Sequence, residues 1–65
     1  MKLMLNGEPV ETAVTFVAEL VREQAGAAGR VAVVVNDRVV PAADHAATRL
    51  SEGDRVELLT FAGGG

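Results

Sequence analysis

Sixty-five residues, 49% of them hydrophobic but only 3% aromatic, suffice for one small domain with a core of Val, Leu and Ala, and leave no room for an enclosed active site. Six basic residues stand singly among nine acidic ones, for a net charge of −3, which excludes the clustered Lys and Arg that binding to nucleic acid requires. The absence of cysteine removes disulfides, thiolate metal sites and thiol nucleophiles together.

Met1 to Leu5 alternate, with Leu3 and Leu5 on one face and Lys2 and Met4 on the other, the period of a half-buried strand. Asn6-Gly7 tolerates the positive φ of a tight hairpin turn and returns the chain into a short strand around Val10 and Glu11, which Pro9 places at a sheet edge. Over Thr15 to Ala25 the period changes. Phe16, Val17, Leu20, Val21 and Gln24 form one stripe and Glu19, Arg22 and Glu23 the other, predicting an amphipathic helix capped by Thr15 and ended by Gly26.

Gly26-Ala27-Ala28-Gly29 reads as a connector. It follows a helix and lacks the Lys and Ser/Thr of a phosphate loop. Val31 to Val35 has the composition of a buried or central strand. Asn36-Asp37-Arg38 turns the chain into Val39-Val40, ended by Pro41. Pro41 to Thr48 predicts a loop or helical turn, Gly53 a turn, and Arg55 to Phe61 the last strand.

The order ββαββ implies an α+β domain over residues 1–61, with one helix packed on one face of a mixed sheet and the last strand parallel to the first in the middle. The expected core is Leu3, Leu5, Val17, Leu20, Val33, Val35, Val56 and Leu58. Met4, Val34, Leu59 and Phe61 then fall on the uncovered face, an apolar set of the kind that marks a partner-binding surface.

Residues 62–65 read as a flexible tail carrying Gly63, Gly64 and Gly65. Without Cβ atoms, glycines can thread a narrow cleft, and the Gly65 carboxylate is unhindered for activation by a partner that uses ATP. A chain without cysteine that carries sulfur would have to carry it there, as a thiocarboxylate.

The hairpin, helix and strand order, the segment Val35-Asn36-Asp37-Arg38-Val39-Val40-Pro41, the turn Leu50-Ser51-Glu52-Gly53-Asp54 and the end Phe61-Ala62-Gly63-Gly64-Gly65 together resemble the ThiS family, the ubiquitin-like sulfur carriers of bacterial thiamine synthesis. The resemblance implies a β-grasp fold. It also implies that Gly65 is adenylated by a ThiF-type enzyme using ATP and magnesium, takes sulfur that a cysteine desulfurase often supplies, and passes it to thiazole synthase. The carrier is then no enzyme and binds no cofactor itself. The chain departs from the family pattern after Pro41, where Ala42 and His45 stand in place of a frequent Arg and Trp.

Other destinations for the sulfur are molybdopterin, cysteine or a sulfur-containing natural product. From different classes come a β-grasp interaction module with an inert tail and a protein modifier joined through Gly65 to lysine. His45 with Asp44 and Ser51 does not make a triad in so small a chain. One His among dispersed carboxylates supplies no metal site. With no secretion signal at the start and no apolar run of about 20 residues, the chain reads as cytoplasmic and independent of membranes.

Overall fold

The computed structural model of the chain describes residues 1–25 and 30–61. The tail at 62–65, the connector at 26–29 and Gly26 as helix terminator lie outside them. Five strands form one sheet: β1 (Lys2–Leu5), β2 (Glu8–Glu11), β3 (Arg30–Val35), β4 (Arg38–Val40) and β5 (Arg55–Phe61). One helix, α1 (Val17–Ala25), and a short 3-10 turn (Ala42–Asp44) complete it. The strand order is β2-β1-β5-β3-β4. β5 runs parallel to β1 and antiparallel to β3, so the sheet is mixed with β5 in its middle, as expected.

Both hairpins rest on positive-φ pairs at their turns, Asn6 (φ 51) with Gly7 (φ 84) and Asn36 (φ 49) with Asp37 (φ 70). Such pairs twist the chain the way paired strands require. Pro9 pairs with Met4 in the edge strand β2, where its missing N–H costs no ladder bond.

Leu3, Leu5, Val17, Leu20, Val33, Val56 and Leu58 are buried as the alternation and helical stripe predict. Val35 is only half-buried, because it sits at the end of β3 beside the turn. Val14 and Leu50 are buried too, and so is Thr12. The first two lie outside the strands and the helix that the sequence predicts, so neither pattern placed them in the core. Gln24, placed on the inward stripe, is exposed, since the helix reaches past the edge of the core there.

The helix begins at Val17, one residue later than a Thr15 cap predicts, and Thr15 does not cap it. Phe16 is the residue whose carbonyl accepts the first helical bonds, from Glu19 and Leu20. Instead of a side-chain cap, the segment after β4 lies along the helix start: the Val17 amide donates to the Thr48 carbonyl and that of Ala18 to the His45 carbonyl, both at 2.9 Å. The Glu19 carboxylate reaches back to the amides of Thr15 and Phe16, 2.9 Å each. Arg49 stacks over the Phe16 ring at 5.3 Å from its centroid, a cation–π contact that closes the same corner. Among the described residues no helix is long and apolar enough to cross a membrane.

Candidate functional site

In the sequence the three glycines follow β5, the strand that ends at Phe61. Its backbone is held from both sides. Toward β3 it pairs along its whole length, from Val56 opposite Val35 to Phe61 opposite Arg30. Toward β1 it pairs at Arg55 and Val56 alone.

Two turn asparagines extend that grip. Asn6 donates its amide to the Val56 carbonyl at 2.8 Å, and its Oδ1 accepts the Leu58 amide at 2.9 Å. The side chain thus supplies the acceptor that a main-chain carbonyl would provide had β1 continued. Asn36 does the corresponding work on the other side. Its amide bonds the Arg55 carbonyl at 2.8 Å, its Oδ1 accepts the Arg55 amide at 2.9 Å, and its Nδ2 donates to Asp54 at 3.0 Å. Asp54 in turn accepts the Ser51 amide at 2.8 Å. Sequence reading took both asparagines as turn formers only.

The register settles which side chains share the face away from the helix. Met4 is opposite Arg55, Leu59 opposite Ala32, Glu57 opposite Val34, and Val34 opposite Val39. Paired residues and those two apart along a strand share a face, so Met4, Val34 and Leu59 lie together as expected. Met4 is 36% and Leu59 51% exposed, while Val34 is half-buried between its neighbours. The Phe61 side chain lies outside the described residues.

Val39, 72% exposed, belongs to this face but was not anticipated. Its opposition to Val34 across the hairpin was the available signal. The patch is broken by Glu57 and Arg55; the latter bridges Asp37 at 3.1 Å in an exposed pair worth at most about 1 kcal/mol. A groove of about 660 Å³ runs along β5, lined among others by Met4, Asn6, Gly7, Leu58 and Leu59.

The remaining candidates stay apart. A ring nitrogen of His45 lies 3.1 Å from the Val40 carbonyl, and Ser51 is tied through its amide to Asp54. Among the described residues no group of three His, Asp or Glu side chains is placed to hold a metal ion.

The family model described as ThiS family matches residues 3–65. A thiazole synthase of Paramagnetospirillum magneticum (strain ATCC 700264 / AMB-1) is 35% identical over the whole of this chain, which spans about a fifth (20%) of that protein's length. The crystal structure of the thiamine biosynthesis protein ThiS from Geobacter metallireducens superposes with a TM-score of 0.82 at 35% identity, each chain covered completely. A solution structure of a thiamine biosynthesis protein from the same organism gives 0.78 at 38% identity, covering all of this chain and 88% of that one. With the mixed five-stranded sheet, single helix and tail-bearing central strand already in place, the chain belongs to the ThiS family, the small, non-catalytic, ubiquitin-like sulfur carriers of thiamine biosynthesis.

Proposed function

We propose that the chain carries sulfur for thiazole formation as a thiocarboxylate at Gly65. The Gly65 carboxylate attacks the α-phosphorus of ATP on a ThiF-type enzyme, with magnesium bound there, and pyrophosphate leaves. A desulfurase draws sulfur from cysteine as a persulfide, a thiol reductant releases it as sulfide while becoming a disulfide, and the sulfide attacks the acyl adenylate. AMP departs, and the new carbon–sulfur bond remains as the thiocarboxylate. Thiazole synthase consumes it.

The observation that carries this reading is that the family match runs through the three glycines to residue 65 in a chain with no cysteine. The likeness of the whole chain to one fifth of a thiazole synthase supports that enzyme as the acceptor. Residues 62–65 span at most about 13–14 Å when extended, enough to enter a partner's active site while β5 stays outside it.

Incubation of the chain with the cognate ThiF-type enzyme, ATP and a sulfur source is expected to exchange one terminal oxygen for sulfur, read by intact mass and located at Gly65 by fragmentation. Deleting Gly65 withdraws the carboxylate by roughly 3.5 Å, and one added residue locks its carbonyl in a peptide bond. Both variants should fold and fail to react. An extended variant that gains sulfur without first being trimmed would sink the proposal.

A further inference from the structure

Besides the outer edges of β2 and β4, one further stretch of sheet backbone has no strand beside it among the described residues, and it is the stretch leading to the glycines. β1 accompanies β5 only at Arg55 and Val56, and Asn6 prolongs the ladder to the Leu58 amide. The chain then turns away at Gly7 into β2, and no described strand lies on that side of β5 beyond this point. The N–H and C=O of a strand residue point to the same side, and successive residues alternate. Val56 and Leu58 point toward Asn6, so Thr60 does as well. The Leu58 carbonyl and both polar main-chain groups of Thr60 therefore face an open edge.

In the free chain water satisfies these groups. A protein that closes over β5 to receive the tail displaces that water, and each group must find a new partner. We propose that the edge at Leu58–Phe61 accepts an extended main-chain segment of the adenylating enzyme, which joins the sheet as an added strand. This rests on the reading that Gly65 is processed by such an enzyme.

The groove that crosses β5 from Met4, Asn6 and Gly7 to Asp37 meets this edge at Leu58 and Leu59, where side chains of the added strand would fall. The competing occupant is a second copy of this chain. Four residues offer only about 13 Å of edge, little toward the 1,200 Å² or so of a stable interface. Each copy also brings a charge of −3, with Glu57 beside the edge. An enzyme that already grips the tail needs only a short strand to complete its hold.

Amide exchange in the full chain, alone and saturated with the cognate ThiF-type enzyme, tests the proposal. Glu57 and Leu59, whose amides face β3, are expected to be slow throughout. Thr60 should exchange freely in the isolated chain and slow at least tenfold in the complex. Thr60→Pro removes the edge-facing N–H and no bond to β3, so by titration calorimetry it should bind at least tenfold more weakly than Thr60→Ala.

Unchanged Thr60 exchange on complex formation would overturn the proposal, and that result decides even if Thr60→Pro fails to fold. Slow Thr60 exchange in the isolated chain, together with a dimer in sedimentation, would give the edge to a second copy and overturn it likewise. If the wild-type chain neither binds the enzyme nor gains sulfur, the carrier reading itself falls. Sulfur gain with equal binding of the two Thr60 variants overturns only the added strand.

Discussion

Glu19 shows how one side chain can replace an expected cap. Its carboxylate accepts the Phe16 and Thr15 amides, and these bonds, Phe16 first, hold its pKa below the ordinary 4.5. A lowered folded-state pKa contributes stability that is present above 4.5, where the unfolded group is also ionised, and is lost as pH falls through the folded value. Glu19→Gln is therefore expected to lower the thermal midpoint at neutral pH, and the gap to wild type should shrink steadily below pH 4.5. An equal gap at neutral and strongly acidic pH would show that the carboxylate is not what holds the helix start. The sequence carried half of this signal: a Glu three residues after Phe16, but no Ser or Thr at Phe16 itself. That half suffices because the carbonyls of His45 and Thr48 take the first helical amides. Any residue can offer a carbonyl, so the composition of 41–48 leaves no trace of the role.

At the level of elements, β5 depends on Asn6 for more than a turn. Asn6→Gly keeps the positive φ but leaves the Leu58 amide without its acceptor, a loss of about 1 kcal/mol where water can partly compensate. A lower denaturant midpoint with faster exchange at Leu58 is the expected result. Unaltered Leu58 exchange would mean that the Asn6 side chain does not complete the ladder. Strands β1, β3 and β5 were legible because alternation and valine content report burial directly. The second use of Asn6 was not, since Asn-Gly reads as a turn whether or not the side chain reaches another strand. Val14 and Leu50 escaped for a related reason: each plugs the core from irregular chain, where no period distinguishes an inward residue from an outward one.

Across the whole molecule the uncovered face joins both hairpins through β5, with Met4, Ala32, Val34, Val39 and Leu59 as its apolar members. Leu59→Asp should fold, because the side chain is half-exposed. It should bind the adenylating enzyme at least tenfold more weakly, a loss of about 1.4 kcal/mol or more, since the carboxylate would be buried without a partner. Equal affinity by titration calorimetry would remove this face from the interface. Three of the four residues expected on this face were legible from alternation alone, but Val39 needed the β3–β4 register to be placed. The seat of β5 has a further consequence for how the molecule is made. The β1–β2 hairpin meets the β3–β4 hairpin only across it, and Val56 and Leu58 complete the core from it. Ribosomes work from the amino end, so a nascent chain cannot close its core until the residues just before the glycines have been synthesised. Products broken off earlier stay open to proteases, and folding thereby proofreads the presence of the strand that leads into the glycines.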